Sequence, residues 1–280
     1  MQYRTLKNGV RMPMLGFGVY QIPPEDTQRT VLAALETGYR LIDTAQAYQN
    51  EEAVGRAVKE SGLPREDVFI TTKLWIQDFS FEGALHAAEL SLKRLGTDYI
   101  DLMLLHQPMG DFYSAWRALE KLYREGKLRA IGMANCYPHV VADICETVDV
   151  LPMVNQVELH PFFQQELNLK TMADYGVQPE AWGPFDEGRR GFFKNETLVS
   201  VGKKYGKTSA QAALRWNIDR GVIVIPKSVH PERMRENFDI FDFKLDASDM
   251  AEIAKLDLGR SEIVDHFDPA FVRALHRHHV

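Results

Sequence analysis

Between residues 38 and 226 the chain repeats one arrangement: an amphipathic stretch runs to a glycine, and a short apolar run follows and closes in polar residues. Gly38 precedes Tyr39-Arg-Leu-Ile-Asp43, and Gly62 lies before Val68-Phe-Ile-Thr-Thr-Lys73. Gly96 comes before Tyr99-Ile-Asp-Leu-Met-Leu-Leu-His106, and Gly126 before Leu128-Arg-Ala-Ile-Gly-Met-Ala-Asn135. Pro152 introduces Met153-Val-Asn-Gln156, Gly176 introduces Val177-Gln-Pro-Glu-Ala-Trp182, and Gly221 introduces Val222-Ile-Val-Ile-Pro226. Glycine suits the left-handed residue just past a helix C-terminus, so each boundary reads as a helix stop and a strand start. Helical spacing fills the gaps, as in Leu85, Ala88, Leu92 and Leu95, or Ala115, Trp116, Leu119 and Leu122. With Met14-Leu-Gly-Phe-Gly18 as the first strand, eight strands alternate with helices. That alternation calls for a parallel sheet, and eight units in this length favour closure into a (β/α)8 TIM barrel over an open doubly wound sheet.

The expected fold is therefore α/β, one barrel domain over residues 1–280. An N-terminal β-hairpin turns at Asn8-Gly9 across the barrel bottom, and a C-terminal tail beyond Leu256 lies outside the barrel. A length of 280 residues would otherwise suggest two domains, but no Pro/Gly/Ser linker divides the chain. The net charge, 33 − 39 = −6, argues against a nucleic-acid or anionic-lipid coat and leaves room for a local basic pocket. Cys136 and Cys145 read as idle thiols in a reducing compartment. No apolar run is long enough to span a bilayer, and a cytoplasmic, membrane-free monomer is expected. Gly16-Phe-Gly18 begins like a dinucleotide fingerprint but lacks its third glycine, so a Rossmann site is set aside.

Barrel active sites sit at the C-terminal ends of the strands. There the second strand delivers Asp43 and its loop Tyr48, the third delivers Lys73 and the fourth His106. Neighbouring strands can bring these four to one patch. A phenol is a weak acid near neutrality, and an adjacent ammonium favours its ionised form. Aspartate would hold that ammonium, and a histidine can donate to a carbonyl oxygen. The set suits proton delivery to a developing alkoxide and lacks a carbon-directed nucleophile unless Lys73 serves, so hydride would come from a cofactor. Lys227, Ser228, Arg233 and Asn237 follow the eighth strand, where Pro231-Glu232 can open a helix. Helix N–H groups and two cations there make an anion site suited to a phosphate.

The chain resembles the aldo-keto reductase family over essentially its whole length. The resemblance rests on Gly38-Tyr-Arg-Leu-Ile-Asp-Thr-Ala-Gln-Ala-Tyr-Gln-Asn-Glu-Glu-Ala-Val-Gly55, on Leu104-Leu-His-Gln-Pro108, and on Ile225-Pro-Lys-Ser-Val-His-Pro-Glu-Arg-Met-Arg-Glu-Asn237. It implies NADPH-dependent reduction of aldehydes or ketones, with bacterial members acting on small aldehydes, methylglyoxal and 2,5-diketogluconate. Tyr48 is then the general acid, Lys73 and Asp43 its tuning pair, and His106 the carbonyl orienter. The resemblance also implies that Asn135 and Gln156 hold the nicotinamide carboxamide and that Trp182 stacks on its ring. Lys227, Ser228, Val229, Arg233, Glu236 and Asn237 would take the adenosine phosphate.

Two departures stand out. Ala134 replaces the serine usual before the carboxamide-binding asparagine, and Phe185-Asp186-Glu187 begins the loop expected near the pyrophosphate. The acidic pair would have to turn away, or Arg189 and Arg190 would have to close over the phosphates. Tyr20 and Trp75 are expected to line the substrate pocket beside His106. The resemblance implies that the C-terminal tail lies near the active-site mouth, with Phe267 and Phe271 contributing to that pocket. No metal is expected, since His276-Arg-His-His279 lacks partner ligands at a recognisable spacing. Two other readings remain: a Schiff-base aldolase using Lys73, which borohydride trapping would reveal, and a nucleotide sensor without turnover.

Overall fold

The computed structural model describes residues 1–280. Strands β1 (Tyr3–Thr5) and β2 (Arg11–Pro13) form the expected antiparallel hairpin. Its turn closes with the Leu6 N–H donating to the Val10 carbonyl at 2.8 Å. Asn8 Nδ2 donates to the Arg129 carbonyl, and Lys7 Nζ to the Tyr175 carbonyl, so the hairpin is fastened across the N-terminal ends of the strands.

Eight parallel strands follow: β3 (Phe17–Gly18), β4 (Leu41–Asp43), β5 (Phe69–Leu74), β6 (Leu102–Leu105), β7 (Ile131–Ala134), β8 (Val154–Glu158), β9 (Gln178–Trp182) and β10 (Ile223–Val224). They lie in sequence order, as successive right-handed crossovers require. Leu15 bridges Val224 in parallel; the Gly16 N–H donates to the Val224 carbonyl and the Val224 N–H to the Met14 carbonyl. The first and eighth strands therefore meet, and the molecule is a (β/α)8 barrel. The regular part of the first strand is shorter than the expected Met14–Gly18, because Leu15 and Gly16 are spent on closure. A Cβ on Gly16 would sit 2.5 Å from the Leu41 side chain and 2.9 Å from that of Ile225. Close packing at the seam, not a dinucleotide turn, explains this glycine.

The outer layer comprises α1 (Pro24–Thr37), α2 (Glu51–Glu60), α3 (Phe81–Leu95), α4 (Phe112–Arg124), α5 (Pro138–Thr147), α6 (Glu166–Asp174), α7 (Glu196–Lys204) and α8 (Ser209–Asp219). After β10 come α9 (Pro231–Phe238), α10 (Ala247–Ala254) and α11 (Pro269–Arg277). The stop signals work as read: Gly38 and Gly96 cap α1 and α3 with φ of 116° and 63°. One contiguous apolar cluster runs from Leu6 to Ile253, with Trp116 and Trp216 fully buried between barrel and helices. Cys136 and Cys145 are both buried and free. No helix is long and apolar enough to cross a membrane.

Candidate active site

Asp43 ends β4, Lys73 is the penultimate residue of β5, and His106 directly follows β6. Register makes them neighbours, since β4 pairs with β5 and Lys73 lies opposite Leu104 on β6. Tyr48 is brought in by a single 3-10 turn, Gln46–Tyr48. Lys73 Nζ donates to Asp43 Oδ1 at 2.6 Å, to the Thr44 carbonyl at 2.9 Å and to Tyr48 Oη at 3.3 Å. All four expected residues converge: the Tyr48 and His106 rings stand edge to face with centroids 5.7 Å apart.

The electrostatics follow from burial. Burial works against the Lys73 charge, but Asp43, by charge and hydrogen bond, and Tyr48 more than offset it and raise its pKa. Lys73 stays an ammonium. Burial pushes Tyr48 up to about 12, with Lys73 pulling the other way. The ammonium therefore acts in the expected sense, but desolvation outweighs it and the phenol keeps its proton at neutral pH. Burial, Lys73 and His278 hold His106 well below the usual histidine range, so it is a neutral imidazole.

Beyond the four, Gln156 Nε2 donates to Asp43 Oδ2 at 2.7 Å and to Glu180 Oε2 at 2.9 Å. Glu180 was missed from sequence, because a lone carboxylate inside a strand, between Pro179 and Ala181, carries no positional signal. Asn135, in the left-handed region at φ 61°, donates to the His106 carbonyl at 3.0 Å and accepts from Trp182 Nε1 at 2.9 Å. An amide has further donor and acceptor capacity, so Asn135 can still serve a ligand. Ala134 is buried opposite Gln156 and brings no hydroxyl.

Lys227, Val229 and Arg233 are exposed, while Ser228 and Asn237 are buried beside them. Pro231 occupies the first turn of α9, as expected. Neither Lys227 nor Arg233 has an ion-pair partner within the chain, although most arginines here do. Two cations without carboxylates, next to a helix N-terminus, fit a phosphate-bearing cofactor. Glu236 instead accepts the Thr208 hydroxyl at 2.7 Å, which fastens α9 to α8.

The acidic loop behaves differently from one of its two expected options. Asp186 turns inward and is buried, 3.6 Å from His160 Nε2. Arg190 pairs with Glu262, and Arg189 donates to the Glu262 carbonyl at 2.7 Å. Both arginines therefore hold the tail to the loop. Glu158, His160 and Asp186 gather as a buried trio, with His160 Nε2 2.9 Å from Glu158 Oε1. The other ring nitrogen of His160 and both Asp186 oxygens have no hydrogen-bond partner, so the His160–Glu158 contact is the one hydrogen bond that ties the trio together.

At the mouth, the exposed Tyr20 stacks on Tyr48 with centroids 4.9 Å apart. Trp75 is buried: its ring faces His106, and its Nε1 donates to the His278 carbonyl at 2.7 Å. Phe271 packs on His266, and the exposed Phe267 on Tyr137. The tail thus reaches the mouth through His278 and Glu262, contacts too distant in sequence to read from spacing.

The family model described as "Aldo/keto reductase family" matches residues 14–258. A glyoxal reductase of Bacillus subtilis is 46% identical over 257 residues, covering 90% of this chain and 91% of that one. The methylglyoxal reductase DkgA of Escherichia coli is 44% identical over 258 residues, covering 91% and 93%. The crystal structure of a Bombyx mori aldo-keto reductase in complex with NADP superposes with a TM-score of 0.90 at 31% identity, covering 95% of each chain. Matched along most of its length in sequence and in fold, the chain belongs to the aldo/keto reductase family.

Proposed function

We propose that this chain is an NADPH-dependent reductase of small aldehydes, methylglyoxal-like dicarbonyls or keto-sugars, with Tyr48 as proton donor. The observation that carries this is the Tyr48–Lys73–Asp43 chain beside a neutral His106. NADPH, when bound, supplies the hydride. The remaining work falls to the protein. A carbonyl oxygen between Tyr48 and His106 accepts hydrogen bonds from the phenol and the imidazole, which fixes its orientation. As negative charge grows on that oxygen, the Tyr48 O–H bond breaks and the alcohol O–H forms. Lys73, 3.3 Å from the phenol oxygen, stabilises the phenolate left behind, and Asp43 keeps Lys73 in place.

Asn135, Gln156 and Trp182 line the wall where a nicotinamide would lie. Lys227 and Arg233, with Ser228, Val229 and Asn237, would take the 2′-phosphate side of the adenosine, which favours NADPH over NADH. Glu236 supports this segment through Thr208. Tyr20 and Trp75 border the substrate. The chain works as one barrel domain, a cytoplasmic monomer acting on small molecules rather than nucleic acid. Following absorbance loss of NADPH over a panel of aldehydes, ketoacids and keto-sugars tests the reading. Consumption dependent on carbonyl supports it; substrate trapped on Lys73 by borohydride, without NADPH consumption, would favour an aldolase instead.

A further inference from the structure

The hydrogen-bonded chain does not end at Asp43. Gln156 commits both N–H groups of its amide, one to Asp43 and one to Glu180, so its carbonyl end is turned away from the two carboxyl groups. Glu180 is fully buried, and its second oxygen, Oε1, has no partner. The charged groups that face it are Asp43 from β4 and Lys73 from β5; β8 turns Gln156 toward it, and β10 pairs it with apolar Ile223.

Resting on the reductase reading above, we propose that Glu180 is a positioning residue for proton delivery: as a neutral acid it fixes the Gln156 amide, and once ionised it opposes proton release from Tyr48. Burial and the Asp43 charge push Glu180 up to about 8, with Gln156 and Lys73 acting in the other direction. Below that value a single carboxylate, Asp43, faces Lys73. Above it a second negative charge enters, on an oxygen that no donor compensates. That charge draws the ammonium away from the phenol and makes the phenolate harder to form. Asp43 already acts in this sense, since its charge raises the Tyr48 pKa. Through the fixed amide, Glu180 also presents the Gln156 carbonyl oxygen to the side where a nicotinamide carboxamide would donate.

The test is the pH profile of kcat for NADPH-dependent methylglyoxal reduction in the wild type and in Glu180→Gln. The wild type should lose activity severalfold through an inflection near the Glu180 titration, and Glu180→Gln should lose that inflection. An inflection shared by both proteins, or absent from both, overturns the proposal. Glu180→Leu, which offers Gln156 no acceptor, should raise the NADPH KM severalfold; an unchanged KM counts against the positioning role. If the variants fail to fold, the infrared carboxylic-acid stretch of the wild type decides: a protonated carboxyl that persists at neutral pH and disappears above about pH 8 supports the proposal, and none at neutral pH overturns it. A wild type that reduces no carbonyl at any pH would instead remove the reductase reading itself.

Discussion

Lys73 Nζ lies 2.6 Å from Asp43 Oδ1, and both side chains are sealed from water, with 1% and 4% of their surface exposed. Removing one member of a buried pair strands the other charge, which costs about 3–5 kcal/mol. Lys73→Met should lower unfolding stability by about that amount and abolish reduction together. Urea unfolding checks this, and a loss below about 1 kcal/mol would show that Asp43 finds another partner.

At the cofactor's far end, Arg233 carries no internal ion pair and can give charge-assisted hydrogen bonds to a 2′-phosphate. Arg233→Ala should weaken NADPH binding by roughly 1.5–3 kcal/mol and leave NADH binding unchanged. Calorimetric titration with both nucleotides reads the difference directly. Equal losses for the two would remove the phosphate assignment.

Glu180 links the site to stability. Its folded pKa is raised, from 4.5 to about 8, so its contribution is fully present below about pH 4.5 and is lost as pH rises toward 8. The difference in thermal midpoint between the wild type and Glu180→Gln should therefore shift against the wild type across that window and level off above it. Parallel curves through the window would mean that Glu180 titrates normally.

The last three residues are expected to shape the substrate side alone. Deleting residues 278–280 removes the acceptor of Trp75 Nε1 and both hydrogen bonds between Gln77 and Val280. Aldehyde KM should change about twofold to tenfold, the equivalent of one such bond, while NADPH binding stays constant. A shift in NADPH Kd of the same size would place the tail's role elsewhere.

What was legible in the sequence follows from periodicity. Asp43, Lys73 and His106 each close an apolar run, so the strand ends marked them, and the glycine stops marked where each strand begins. Tyr48 needed its loop to be read as part of the same patch. Glu180 escaped because it lies inside its strand, where a single inward carboxylate carries no positional signal. The loop from Asp186 to Arg190 escaped for another reason. Asp186, Glu187 and Arg190 all adopt positive φ, so no helical or strand period exists to read, and their partners His160 and Glu262 come from distant segments. The contact of Trp75 with His278 likewise depends on closure of the whole barrel.

The most direct test of the central claim is Tyr48→Phe, which removes one hydroxyl and keeps the ring that stacks on Tyr20 and meets His106 edge-on. Steady-state reduction of methylglyoxal and NADPH binding should be measured on the same protein. If Tyr48 is the proton donor, kcat falls by about 100-fold or more while the NADPH Kd is preserved. A variant that keeps most of its kcat would contradict the assignment and with it the mechanism built on Lys73 and Asp43.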